Sequence, residues 1–233
     1  QDESPQEVAA ACAAAAGAMG GGGGDYLSLK APALDFDLRL VRTVAEAARR
    51  RGTGLHFDSH GPEQADATFA LLAAAARTGL RIGCTLPSRW RRSAADAEAA
   101  LAMGVPVRLV KGQWPDPSHR GDPRRGYLDL ADRLAGRAPR VFVATHDEAL
   151  GREALRRLRE AGTPCTLELL YGLPARACRR AARRAGVGVR VYVPFGRGWL
   201  PYAAAQAASR PWILWWLARD LVRGALPRRA GAG

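Results

Sequence analysis

The feature that most restricts what this chain can fold into is a repeat. Short β-branched or apolar runs recur at 26–30, 54–58, 80–86, 105–111, 140–144, 163–169 and 187–193. Most begin about 25 to 30 residues after the one before, the size of one βα unit. Amphipathic stretches fill the intervals, and the spacing predicts helices over 37–51, 62–78, 94–103, 126–134, 148–161, 174–185 and 201–223. Gly52, Gly79, Gly104, Gly162 and Gly186 stand where helix C-caps fall. Regular alternation of hydrophobic strands with helices calls for a parallel sheet covered on both faces.

Such a sheet either closes into a barrel or stays open as a doubly wound fold. No G-x-G-x-x-G follows the first strand, and polar residues close nearly every predicted strand: Lys30, Asp58, Lys111, His146, Glu168 and Tyr192. Both features favour an α/β fold of the (β/α)₈ TIM type. Only seven strands can be counted. Residues 2–19 read as a helix with Pro5 near its start and Gly20 to Gly24 past its end. The chain therefore reads as a distorted barrel whose first strand is missing. It is expected to be one domain over 1–233: an N-terminal helix and Gly-rich loop (1–25), βα units (26–200) and a C-terminal helix (201–223).

With 233 residues, 48% hydrophobic and 24% charged, the chain can bury a sizeable core and is unlike a disordered sequence. A net charge of +13 would ordinarily raise nucleic acid as a partner. Yet Lys30 and Lys111 are the sole lysines, so arginine stands wherever either cation would serve, spread over many segments without an RNP, zinc-finger or helix-turn-helix pattern. No nucleic-acid partner is expected. The longest strongly apolar stretch, 211–218, is far below the roughly 20 residues of a bilayer span. No signal-peptide pattern opens the sequence, and Cys12, Cys84, Cys165 and Cys178 show no metal-type spacing, so a reducing cytoplasm is expected. Trp212, Trp215 and Trp216 form a helical stripe that suits a peripheral membrane contact, a barrel edge or a second subunit. Arg179, Arg180, Arg183 and Arg184 read as a solvated helix face.

Three fragments carry chemistry. The lysine scarcity singles out Lys30 and Lys111 as sites where a compact ammonium does what a guanidinium cannot. Leu55 to His60 alternates so that His56, Asp58 and His60 share one side of an extended segment. That arrangement would suit a metal ion, with Lys111 and His146 nearby, as in a metal-dependent hydrolase, or Asp58 alone facing the barrel mouth. Val107 to Trp114 joins a buried strand to two cations, Arg108 and Lys111, and to Gly112, which lets backbone approach a ligand. Val143 to Asp147 ends a further strand in donors able to meet a phosphate or a ring.

In chain order these fragments become specific. Leu27-Ser28-Leu29-Lys30-Ala31-Pro32-Ala33-Leu34, Phe57-Asp58, Thr85-Leu86, Val107-Arg108-Leu109-Val110-Lys111-Gly112, Ala144-Thr145-His146, Leu170-Tyr171-Gly172 and Arg190-Val191-Tyr192-Val193-Pro194-Phe195-Gly196 follow one another, then Trp199-Leu200-Pro201-Tyr202 and Ser209-Arg210-Pro211. Together they resemble the FAD-dependent proline dehydrogenase family from about residue 26 to 217. The resemblance implies a distorted (β/α)₈ barrel that takes a hydride from the carbon beside the nitrogen of a proline-like cyclic amine and gives it to FAD. It implies Asp58, Arg108, Lys30 and Tyr192 as catalytic residues, with Lys30 paired to Asp58 and Arg108 beside the flavin. Lys30, Asp58, Leu170, Tyr192, Tyr202 and Gln206 would surround the substrate. Ser59, Arg108, Val110, Lys111, Gly112, Trp114, Ala144, Thr145, His146, Asp147 and Glu168 would hold the cofactor, with no metal. Electrons would leave to a quinone or to oxygen.

Three departures from the family pattern matter. Where the family carries two adjacent arginines for the substrate carboxylate, Tyr202 is followed by Ala203, Ala204, Ala205 and Gln206. In so arginine-rich a chain that loss points to a substrate other than free proline, such as a proline ester or amide. Ordinary L-proline dehydrogenation and a non-catalytic flavin-binding descendant are the alternatives. Pro87 and Glu168 replace two glutamines that face the flavin, so one hydrogen bond to the ring is missing or comes from Ser88 instead. The family's first strand has no counterpart before Gln1.

Overall fold

The computed structural model describes residues 3–20 and 24–195. Seven strands, β1 (Tyr26–Leu29), β2 (Gly54–Phe57), β3 (Ile82–Pro87), β4 (Val107–Val110), β5 (Val141–Ala144), β6 (Cys165–Leu170) and β7 (Val189–Tyr192), form one sheet. Every neighbour pair is parallel and the order is β1-β2-β3-β4-β5-β6-β7. A doubly wound sheet would reverse direction from its first strand. Strictly sequential order instead belongs to a barrel wall. The wall curls far enough for its ends to meet through side chains: Tyr26 of β1 reaches Glu168 of β6, and Arg190 of β7 reaches the carbonyl of Gly24 ahead of β1. The result is a distorted TIM-type half-barrel of seven strands, with β1 and β7 at its edges among the described residues.

Helices α1 (Pro5–Ala18), α2 (Leu38–Arg50), α3 (Ala65–Ala76), α4 (Ser93–Ala102), α5 (Pro123–Leu134), α6 (Glu148–Glu160) and α7 (Arg176–Arg184) cover the outside. Side chains alternate across a strand. One set faces the helices and builds the core: Leu27, Leu29, Leu55, Phe57, Leu86, Val107, Leu109, Val141, Val143, Leu167 and Leu169 are all buried. Sequence chemistry fixes most helix starts. Ser4 and Glu7 make a reciprocal capping box at α1, while Asp37, Asp122 and Asp147 each cap a helix with a carboxylate oxygen. The five glycines expected to end helices all adopt positive φ.

Two helix starts differ most from expectation. Helix α5 begins at Pro123, three residues before the predicted start, because Asp122 caps it and Pro123 takes the first-turn position that needs no N–H. The predicted helix at 62–78 opens as a 3₁₀ turn over Pro62–Gln64 before α3. The predicted C-terminal helix, with Tyr202, Gln206 and the tryptophan stripe, lies outside the described residues. None of the described helices is long and apolar enough to cross a membrane. The four cysteines are free, and burial pushes the Cys84 thiol up to about 12.

Candidate active site

The other set of strand residues faces the lumen. Register places Ser28 beside His56, Thr85 beside Arg108, Glu168 beside Arg190 and Leu170 beside Tyr192. Two layers result. The lower one is aromatic: Tyr26 stacks on His56 with ring centroids 4.6 Å apart and meets Phe142 at 5.2 Å, and the Arg190 guanidinium covers both the Tyr26 and Phe142 rings at 4.9 and 4.4 Å. Burial, reinforced by the positive charge of Arg108, holds His56 well below its ordinary pKa, so it is neutral.

The upper layer is a charged knot centred on Arg108. Its Nη1 donates to Asp58 Oδ1 at 2.9 Å, and its Nε lies 2.5 Å from Glu168 Oε1. The second contact is an ion pair whose N–H does not point at the oxygen, so it counts as charge attraction without a hydrogen bond. Burial by itself would lower the pKa of Arg108, but the carboxylates of Asp58 and Glu168 overcome it and hold the guanidinium protonated. Thr85 Oγ1 donates to Asp58 Oδ1 at 3.1 Å, and Tyr192 Oη donates to Asp58 Oδ2 at 3.3 Å. The guanidinium carbon of Arg108 sits 4.3 Å over the Tyr192 ring. Burial, then the neighbouring Asp58 charge, push the Tyr192 phenol up to about 12, so it is a donor at neutral pH.

Asp58, Arg108, Tyr192, Glu168 and Leu170, all named from sequence, thus gather at the C-terminal mouth of the wall, where barrel active sites lie. Lys30 does not join them as expected. Strand β1 stops at Leu29, and the chain turns into a 3₁₀ helix over Ala31–Leu34, which leaves Lys30 exposed. The oxygens of Asp58 are taken by Arg108, Thr85 and Tyr192 instead. Nor do the histidines converge on a metal: His56 is spent in the aromatic layer and His60 stacks on Trp114 at 5.2 Å, on the rim. No group of three potential metal ligands occurs among the described residues.

A second cluster flanks the mouth at the start of α6. Asp147 caps the helix by accepting from the Leu150 N–H at 3.1 Å, and it pairs with Arg124 and, at 3.9 Å, with Lys111. Thr145, buried at the end of β5, accepts from the Asp147 N–H. His146 is held at both nitrogens: Nδ1 meets the Pro174 carbonyl and Nε2 accepts from the Leu170 N–H, each at 2.9 Å. Burial lowers its pKa, consistent with a neutral ring that ties the β5 loop to the end of β6. Ser59 follows Asp58 on the rim, Val110 and Ala144 close β4 and β5 on the lumen side, and Trp114 is 42% exposed with its carbonyl held by Trp90 Nε1 at 2.8 Å. Ser88 faces away from the lumen, because its hydroxyl donates to the Pro123 carbonyl at 2.7 Å. It therefore cannot supply the hydrogen bond that Pro87 is unable to give.

Sequence reasoning missed Tyr26, Thr85, Arg124 and Arg190. Period-two alternation back from Lys30 would have put Tyr26 on the lumen face. Asp122-Pro123 would have placed Arg124 in the first turn of a helix.

No protein-family model matches the chain. Proline dehydrogenase 1 of Bacillus subtilis is 23% identical over 201 residues, covering 79% of this chain and 66% of that protein. The proline dehydrogenase of Deinococcus radiodurans is 26% identical over 151 residues, covering 61% of this chain and 48% of the relative. The chain thus spans about two thirds, or less, of these curated relatives. Among solved structures, a proline utilization A (PutA) protein with proline bound in remote sites superposes with a TM-score of 0.71 at 19% identity, over 95% of this chain and 27% of that one. A variant PutA of Bradyrhizobium japonicum gives 0.70 at 19% identity, over 82% and 25%. Sequence similarity and fold point the same way: the chain is similar in sequence to curated proline dehydrogenases and shares its fold with the PutA structures.

Proposed function

We propose that the chain is a flavin-dependent dehydrogenase acting on the CH–NH bond of a proline-like cyclic amine. The observation that carries this reading is the clamp on Arg108: a largely enclosed, permanently charged guanidinium, fixed by Asp58 and covered by Tyr192, at the mouth of a barrel wall similar to those of proline dehydrogenases.

The donor set beside the mouth fits FAD. Lys111, Arg124 and the N-terminus of a 13-residue helix surround one spot, and backbone N–H groups with cations are the usual partners of phosphates. Asp147 now pairs with both cations and offsets one of their two charges. Gly112, Val110, Trp114, Ala144, Thr145, His146, Ser59 and Glu168 would line the rest. When bound, FAD supplies the hydride acceptor. Arg108 offsets the negative charge that gathers there, and Asp58 favours the positive charge left on the substrate nitrogen. Tyr192 and Leu170 wall the ring, Tyr192 keeping its proton, while Lys30, exposed on the rim, meets the substrate from outside.

The substrate within this class is a derivative lacking a free carboxylate. Its basis is the Tyr202 to Gln206 stretch, where no arginine stands. Each missing charge-assisted bond withholds about 1.5 to 3 kcal/mol from free proline.

An absorption spectrum of purified protein with added FAD, followed by anaerobic titration with proline, proline amide and proline ester, tests both statements. Flavin bands that bleach with the amide or ester at lower concentrations than with proline are expected. A colourless protein that refuses FAD overturns the whole reading. Preference for free proline overturns only the choice of substrate.

A further inference from the structure

Glu168 is 1% exposed, yet it is a carboxylate. One oxygen faces Arg108 and the other accepts a hydrogen bond from the Tyr26 hydroxyl. Packing does not require a charge at this position, and burying one is costly unless it is paired. Asp58 already partners Arg108, so the single guanidinium stands between two carboxylates. The other lumen cation, Arg190, is directed elsewhere, over the Tyr26 and Phe142 rings and onto the Gly24 carbonyl. Tyr26 is partly buried, which raises its pKa and keeps it a donor to Glu168. With Arg190 counted, the two carboxylates Asp58 and Glu168 balance the two lumen guanidiniums.

We propose that Glu168, braced by Tyr26, is a positioning residue that fixes the Arg108 guanidinium and offsets its charge, so that it lowers the oxidising power of the bound flavin. The proposal rests on the flavoprotein reading above. A lone Arg108–Asp58 pair would be neutral. Glu168 cancels the further positive charge of Arg190 and so disfavours the anionic reduced form of any flavin held nearby.

The test compares the parent protein with E168Q and Y26F, each loaded with FAD, by anaerobic equilibration against redox dyes. Glutamine preserves shape and an acceptor for Tyr26 but removes the charge. The midpoint potential of E168Q is expected to move positive, corresponding to about a tenfold gain in the hold on reduced over oxidised flavin. Y26F loosens the same corner without changing its charge, and its potential is expected to stay close to the parent's. Should E168Q not fold, E168M fills the volume without charge and carries the same expectation. An unmoved potential in the neutral variant, or equal shifts in the neutral variant and Y26F, overturns the proposal while leaving the flavoprotein reading intact. A parent that binds no FAD overturns both.

Discussion

A Cβ placed on Gly112 would lie 2.7 Å from the Cβ of Pro87, and the Gly112 backbone sits at φ +89°. The turn after β4 is thus pressed against the end of β3, and no residue with a side chain fits there unstrained. Gly112→Ala is expected to cost roughly 1 to 3 kcal/mol from the clash alone. It should also displace Lys111. Urea unfolding measures the first effect, and a weakened affinity for FAD the second.

Replacing Arg108 with lysine keeps the charge but cannot reach Asp58, Glu168 and the Tyr192 ring together. The rate of anaerobic flavin reduction by the best cyclic amine should fall about 10² to 10³-fold, the usual loss on removing a placed electrostatic donor. Stopped-flow spectrophotometry reads this directly. A rate within threefold of the parent's would contradict a central role for Arg108.

Ser88→Ala removes a buried hydroxyl that holds the start of α5 through the Pro123 carbonyl. Stability should drop by about 1 kcal/mol. Because the hydroxyl faces away from the lumen, the flavin absorption spectrum should not change, and a spectral shift would show that Ser88 reaches the ring.

Acid should destabilise the protein before its carboxylates titrate. His56 has a lowered pKa in the folded state from burial and from Arg108, and His146 a lowered one from burial. Unfolded chains take up a proton at each histidine below about pH 6.5 while the folded state resists, so this stability is present above that pH and lost as pH falls. Each contributes a slope of up to about 1.4 kcal/mol per pH unit. His56→Gln cannot titrate and should flatten the fall between about pH 6.5 and 5.5 in urea unfolding.

Most of the wall was legible from sequence because each strand is a hydrophobic run bounded by glycine, proline or a charge. The lumen was legible only where its residues close a strand, as Asp58 and Tyr192 do. Tyr26 looked like strand filler, since its partner Glu168 lies 142 residues away and no local pattern announces their hydrogen bond. The expected Lys30–Asp58 pair was misplaced for the opposite reason: matching a motif located Lys30 in the chain, but the turn at Ala31–Leu34 decided where it ended up. Of the two alternatives at Pro87, supply from Ser88 stayed open in the sequence, because its hydroxyl partner, the Pro123 carbonyl, lies 35 residues on.

The interactions around Arg108 join Tyr26 of β1, Asp58 after β2, Thr85 of β3, Arg108 of β4, Glu168 of β6 and Tyr192 of β7. A centre that draws on six strands cannot exist in a partly assembled wall. Its sequence separations, up to 142 residues, make it among the last features to form as the chain folds and among the first to go when it opens. The chemistry and the latch of this barrel are the same group of atoms, so any partly opened form should be catalytically silent.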